Sequence, residues 1–547
     1  MSEAAEYDPY ALPSDAIQEP PVSLWAALRK IGPGIILAGS IVGSGELLLT
    51  TSLGAKHGFL FLWLILFSCV IKVFVQTELG RYAISSGKPT LGAINELPGP
   101  RLGAHWIVWC WLIMMLTTIS QLGAMTGTVG QSLNLAFPNV SASIAHSVDY
   151  SLPWLADWIR ARPETPWAVL TCLTAIGLLW SGSYRRIEFI TTILVVGLTF
   201  VTLTAACALP ATKYPIPWPE VAEGLTFMLP AAGIAAAFGA FGITGVGASE
   251  LFYYPYWCLE KGYARYAGRC EPNEAWARRA RGWIRVMHLD AWVSMIVFTI
   301  STVAFYFMGA AVLHPQKLYP EGTEMIKTLS HMFKDTFGEW TVMVFLIGAG
   351  AVLFKTLYIS TAGNSRLLAD FLSLSGVVRC ARPEQRAVMI RRFSLLIPVI
   401  ALILSFVFQD PKALVTVGGF AQGLMLPLIS GVTVFFRYRR TDRRITPGLL
   451  LDILLWIAFV LITCVALYAA QSQVGKWMAP PPKSLVPTLR VGASLRRSAA
   501  SEPAGTRTPA DDRDAERREA RSHAERGNEK LDPCTEFRTR DQQRRET

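Results

Sequence analysis

An all-α, polytopic membrane protein of about eleven transmembrane helices, built as two inverted five-helix repeats plus one further helix, is the fold class that this sequence predicts. Three observations lead there. Apolar runs long enough to cross a bilayer recur from about residue 31 to 470, basic residues gather on alternate loops, and one glycine–glutamate motif occurs twice. Of the 547 residues 52% are hydrophobic and only 17% charged, against about a quarter charged in soluble domains. A soluble enzyme, a nucleic-acid binder and a secreted disulfide scaffold are all disfavoured. The formal net charge of +11 is not a nucleic-acid signal, because the basic residues sit in loops and in the tail. The nine cysteines are scattered singly, without a CxxC, and form neither a disulfide framework nor a zinc site.

The apolar segments are roughly 31–54, 59–80, 104–135, 166–182, 187–209, 227–256, 284–312, 339–370, 393–409, 412–436 and 447–470. They must be helical, since lipid offers the backbone no hydrogen-bond partners. Orientation follows from loop charge. With the N-terminus inside, inner flanks hold twenty-five Lys and Arg and outer loops hold eight. An odd number of spans then puts the C-terminus outside. No secretory signal is expected, because residues 1–24 carry no Lys or Arg. The expected organisation is a cytoplasmic segment 1–28, a first repeat 29–220, a second 221–440, an eleventh helix 441–475 and a polar tail 476–547. The tail, rich in Arg, Glu, Asp, Ser and Pro, is expected to be disordered because it cannot bury a core.

The repeat carries the chemistry. Val42-Gly43-Ser44-Gly45-Glu46-Leu47 in segment 1 matches Val246-Gly247-Ala248-Ser249-Glu250-Leu251 in segment 6 at a constant offset of 204. Both open a five-helix unit. Because five is odd, the units have opposite orientation, the arrangement of many secondary transporters. Gly43, Ser44 and Gly45 are poor helix formers in a row, and Gly239, Gly242, Gly245 and Gly247 loosen segment 6 in the same way. Such stretches unwind and turn free carbonyls and amides toward a cavity. Glu46 and Glu250 end them, and an ionisable residue at membrane depth is a functional candidate by default. The alternative is that the glycines serve close packing and the glutamates pair structurally.

Further polar residues fall inside apolar runs. Lys355, in the middle of segment 8, could balance Glu46 or Glu250 or take the place of a coupling cation, with snorkelling as the bland alternative. Lys72 in segment 2 is a similar case. Glu78, one turn from Arg81, reads as a structural pair. His288 and Asp290 open segment 7 and could relay protons or form a local pair. Gln422, in a glycine-loosened segment 10, could supply a carbonyl ligand, with Gln121, Thr126 and Asn364 as weaker versions. No nucleophilic triad, phosphate loop or dinucleotide fingerprint occurs, so pumping must use an ion gradient.

At these residues the chain resembles the Nramp family of proton-coupled divalent-metal transporters. The likeness runs through Gly32-Pro33-Gly34-Ile35-Ile36-Leu37-Ala38, Gly58-Phe59-Leu60-Phe61-Leu62-Trp63, Glu274-Ala275-Trp276-Ala277-Arg278-Arg279, Arg285-Val286-Met287-His288-Leu289-Asp290 and Leu426-Pro427-Leu428. It implies a LeuT-type inverted repeat with discontinuous helices 1 and 6, and symport with protons. The family's signature motifs are replaced. Gly43-Ser44-Gly45-Glu46 stands where the family has Asp-Pro-Gly-Asn, and Gly247-Ala248-Ser249 where it has Met-Pro-His. A thioether favours soft ions, whereas carboxylate, hydroxyl and carbonyl oxygens suit Mg²⁺, Ca²⁺ or Mn²⁺.

The expected function is therefore secondary transport of a divalent metal cation, not catalysis. The expected site is Gly43, Ser44, Gly45, Glu46, Gly247, Ala248, Ser249, Glu250 and Gln422, with Lys355, Lys72, His288 and Asp290 as coupling or charge-balancing groups. No permanently bound cofactor is expected, and the partners are the bilayer, the small cation and H⁺. The competing reading is an amino-acid or other organic cation permease of the same fold, because Ile41-Val42-Gly43-Ser44-Gly45 also resembles the helix 1 motif of amino-acid permeases. A non-transporting membrane sensor is the third class.

Overall fold

In the computed structural model the described residues are 12, 16–180, 184–228, 233–321, 324–378, 382–408 and 410–478. Each expected apolar segment contains a helix among its described residues. We number the helices α1 (Pro33–His57, in two parts), α2 (Leu62–Ser86), α3 (Trp106–Ala136), α4 (Thr165–Leu179), α5 (Tyr184–Ala208), α6 (Ile234–Ile243 and Ala248–Lys261), α7 (Glu274–Met308), α8 (Trp340–Leu374), α9 (Pro383–Val407), α10 (Pro411–Arg439) and α11 (Leu449–Met478). Among the described residues nine are long and apolar enough to cross a membrane; α4 and α5 are the two outside that number. At 15 residues α4 is about 22 Å long, short of a hydrocarbon layer of about 30 Å. The tail expected over 476–547 lies outside the described residues from 479 onward.

Side-chain caps mark several helix starts. Asn273 accepts the Trp276 amide at 2.8 Å to open α7, and Asp410 accepts the amides of Lys412 and Ala413 at 3.0 and 3.2 Å to open α10. The two broken helices fill the middle of the bundle. Within their apolar windows α1 is 94% buried and α6 83%, whereas peripheral α11 is only 22% buried. Glycine lets α6 and α10 approach backbone to backbone. A Cβ on Gly242 would lie 1.9 Å from the Gly419 carbonyl oxygen, so no larger residue fits there.

Both breaks fall where the glycine runs lie. In α1 the first part, α1a (Pro33–Ile41), ends at Val42, and a π-turn Gly45–Thr50 starts the second part, α1b. In α6 the first part, α6a (Ile234–Ile243), ends at Thr244, and α6b (Ala248–Lys261) restarts after Gly247. Gly245 adopts φ +67°, open to glycine at little cost. A side chain there would also meet the Cys69 backbone of α2 at 2.8 Å.

Candidate functional site

Each break sets charge against the dipoles of the half-helices flanking it. The open C-terminal end of a helix carries about half a negative charge and the N-terminal end about half a positive one. Glu46 and Glu250 both stand in the first turn of the second half-helix, α1b and α6b, where that positive end favours a carboxylate. Lys355 of α8 donates to the carbonyl oxygens of Gly39 (2.9 Å) and Val42, at the C-terminal end of α1a. Lys72 of α2 donates to the carbonyl oxygens of Thr244 (2.8 Å) and Phe241, at the C-terminal end of α6a. Neither lysine snorkels: they are 1% and 0% exposed.

Between the breaks lies a cavity of about 20 Å³, lined among others by Ser40, Ser44, Gly45, Thr118, Gln121, Ser249, Glu250, Thr356, Ser360 and Gln422. That volume admits about one water-sized particle. Glu250 Oε1 accepts hydrogen bonds from Ser40 (2.7 Å) and Tyr253 (2.6 Å). Oε2 lies beside Gly247, where a Cβ would stand 2.5 Å from it and 2.6 Å from Gln422 Oε1. The glycine is thus needed to let the carboxylate and the amide oxygen converge. A directed polar chain joins the two breaks. The Ser249 amide donates to Gln422 Oε1 (3.2 Å), Gln422 Nε2 to Gln121 Oε1 (3.2 Å), and Gln121 Nε2 to Ser44 Oγ (2.9 Å).

The candidates divide under this geometry. Ser44, Gly45, Ser249, Glu250 and Gln422 come together on the cavity. Gly43, Gly247 and Ala248 shape the breaks without lining it. Glu46, expected as a principal ligand, is not among the lining residues. The π-turn folds its carboxylate back onto the Gly43 amide (3.1 Å) and toward Thr302 of α7 (3.4 Å). A His288–Asp290 relay is not formed. Residues two apart on a helix point to different sides, and each has another partner. Asp290 accepts the amides of Gly32 (2.8 Å) and Gly34 (2.5 Å) at the start of α1a. His288 meets Arg81 at 3.1 Å, and Arg81 holds Glu78 at 2.8 Å, the structural pair expected.

Ser40, Thr118, Thr356 and Ser360 are cavity residues beyond those the sequence singles out, and Gln121 lines the cavity as fully as Gln422 does. A signal was present: Thr118 and Gln121 are three apart, and Thr356 and Ser360 four apart, which puts each pair on one face of an otherwise apolar helix. Chemically the cavity offers one carboxylate with hydroxyl and amide oxygens. Among the described residues no three His, Cys, Asp or Glu side chains cluster as a metal site. The arrangement suits a hard cation that keeps part of its hydration shell.

Two helices broken in the middle of a bundle, around a small polar cavity, are the hallmark of the LeuT-type fold, and the chain is a multi-pass membrane protein of that fold. The model of the family described as natural resistance-associated macrophage protein-like, Nramp, matches residues 34–472. The chain belongs to the Nramp family. It is 29% identical over 123 residues to the divalent metal cation transporter MntH of Bacillus subtilis, a stretch covering 22% of this chain and 28% of that relative's length. The crystal structure of the Eremococcus coleocola manganese transporter, in complex with an aromatic bis-isothiourea compound, superposes with a TM-score of 0.62. The alignment covers 86% of this chain and 92% of that one, at 16% identity. A mutant of the same transporter gives 0.60 over the same shares.

Proposed function

We propose that this chain is a secondary carrier that moves a divalent metal cation across a cell membrane by alternating access, and that it is not an enzyme. The observation that carries this reading is Glu250. It is a buried carboxylate on a cavity that admits one water-sized particle, where hydroxyl oxygens from both broken helices meet the amide oxygens of Gln121 on α3 and Gln422 on α10. A partly dehydrated ion fits that space, and an amino acid does not unless the cavity opens. Ser44, Ser249, Gln121 and Gln422 complete an oxygen-only set suited to Mg²⁺, Mn²⁺ or Ca²⁺. Glu46 supports the site from the wall behind Gly43. The lysine charges act on the half-helix carbonyls, so the carboxylates remain available to balance a dication.

Relatives and neighbours of the family support the metal: one is named for divalent metal cations and another for manganese. Coupling to H⁺ is the finer reading that the family likeness carries; His288 and Asp290 make no direct pair that would relay it. The 25-to-8 loop bias supports a cytoplasmic N-terminus and, if α4 and α5 span with the nine longer helices, a C-terminus outside. The test is uptake into proteoliposomes loaded with a metal-sensitive dye, offered Mg²⁺, Ca²⁺ and Mn²⁺ in turn. Saturable uptake of at least one ion is expected. No uptake of any ion by folded protein, together with saturable binding of amino acids, overturns the reading in favour of an organic-substrate permease.

A further inference from the structure

The ends of α1a and α6a are built alike. At the end of α1a the carbonyls of Gly39 and Val42 face the ammonium of Lys355, and the hydroxyl of the adjacent Thr356 donates to Gly39 at 3.3 Å. At the end of α6a the carbonyls of Phe241 and Thr244 face the ammonium of Lys72. The hydroxyl of Ser68, one turn away on α2, donates to the same two oxygens at 3.2 and 2.8 Å. Both carbonyl pairs are three residues apart, and the second follows the first by 202 residues, two fewer than the 204 that relates the glycine–glutamate motifs. In broken-helix carriers such carbonyls, at the C-terminal ends of half-helices, are where a free coupling cation binds. Here each set is already filled by a fully buried lysine amine that cannot diffuse away.

We propose that the ammonium groups of Lys355 and Lys72 are tethered substitutes for two free monovalent cations. The carrier therefore works without Na⁺ or K⁺, and deleting Lys355 opens a monovalent-cation site on the carbonyls of Gly39 and Val42. The chemistry that recognises the new occupant is the same as for the ammonium: a small cation able to sit on two carbonyls at the negative end of a half-helix. The proposal rests on the reading of the chain as a secondary carrier, and its test reads stability, so that the two can fail separately.

The experiment is thermal unfolding of the purified full chain in choline, Na⁺, K⁺, ammonium and methylammonium chloride at matched ionic strength. Wild type is expected to show the same Tm in all five. Lys355→Ala is expected to show a lowered Tm in choline that rises saturably with at least one of the four small cations; Lys72→Ala should behave likewise. Lys355→Met, which refills the space without charge, should stay low in every salt. A wild-type Tm that rises with Na⁺ or K⁺ overturns the proposal. So does a Lys355→Ala protein indifferent to all four cations, and so does aggregation of both Lys355 variants in every salt, which would make the ammonium a fixed part of the fold. Loss of divalent uptake by wild type would sink the transport reading alone and leave the Tm comparison standing.

Discussion

The side-chain amides of Gln121 and Gln422 meet at 3.2 Å, and this single contact closes a one-way hydrogen-bonded chain from the Ser249 amide at one helix break to the Ser44 hydroxyl at the other. Every donor in the chain points the same way, from α6b through α10 and α3 to α1. Hydrogen bonds in series polarise one another in a low-dielectric interior. The two halves of the site are thus coupled through neutral groups and not through an ion pair. Replacing Gln422 with Leu leaves the Ser249 amide and the Gln121 carbonyl without partners, at about 1–3 kcal/mol. That corresponds to a loss of about 5- to 150-fold in apparent cation affinity if it acts on binding. Gln121→Leu should do the same, and the double variant should lose less than the product of the two. Uptake titrations on the four proteins give the comparison.

Gly247 is required by its neighbours. A Cβ there meets Glu250 Oε2 at 2.5 Å and Gln422 Oε1 at 2.6 Å, whereas a Cβ on Gly177 of α4 meets nothing within 4 Å. Gly247→Ala should push the carboxylate and the amide apart and weaken cation binding by at least about tenfold, or about 1.4 kcal/mol. Gly177→Ala should leave binding unchanged. Isothermal titration of the two variants decides it.

Asp290 holds the start of α1a through the amides of Gly32 and Gly34. Removing such a cap costs about 1–2 kcal/mol. Asp290→Ala should therefore lower the unfolding midpoint in detergent and raise hydrogen exchange in the first turn of α1a. Asp290→Asn keeps one acceptor oxygen and should lose less. Equal loss in both variants would assign the effect to charge instead.

At the opposite end of the bundle, Glu321 pairs with Lys56 and lies 3.6 Å from Lys412. The hydrogen bond from Lys56 holds its carboxyl below the ordinary carboxylate value; partial burial opposes the shift and the charge of Lys412 reinforces it. A depressed folded value means that the stabilisation is fully present above the unfolded value and is lost as pH falls through the folded one. The Tm difference between wild type and Glu321→Gln should therefore be constant at neutral pH and fade only in and below the ordinary carboxylate range, about pH 4. A difference that already fades at pH 7 would refute this account of the pair.

Much of this molecule is legible in its sequence. Apolar length gives the eleven helices, and the glycine runs at 43–45 and 239–247 give both breaks, because backbone propensity is local. The acidic residues closing those runs are legible for the same reason. What Lys355 and Lys72 touch is not, since their partners are main-chain carbonyls contributed by distant helices. The facing of Glu46 is hidden as well. A π-turn in place of an α-turn rotates its carboxylate away from the cavity, and no residue type announces that turn. The separation of His288 from Asp290 was readable from their spacing alone.

On the proposed reading Glu250, more than Glu46, is the charged ligand of the transported cation. The most direct measurement is Mn²⁺ uptake by proteoliposomes holding wild type, Glu46→Gln or Glu250→Gln, each shown to be folded by its unfolding transition. Wild type should show saturable uptake, Glu46→Gln a reduced but measurable rate, and Glu250→Gln a loss of at least about 100-fold, or about 2.8 kcal/mol. Wild-type uptake that survives in Glu250→Gln would contradict this reading.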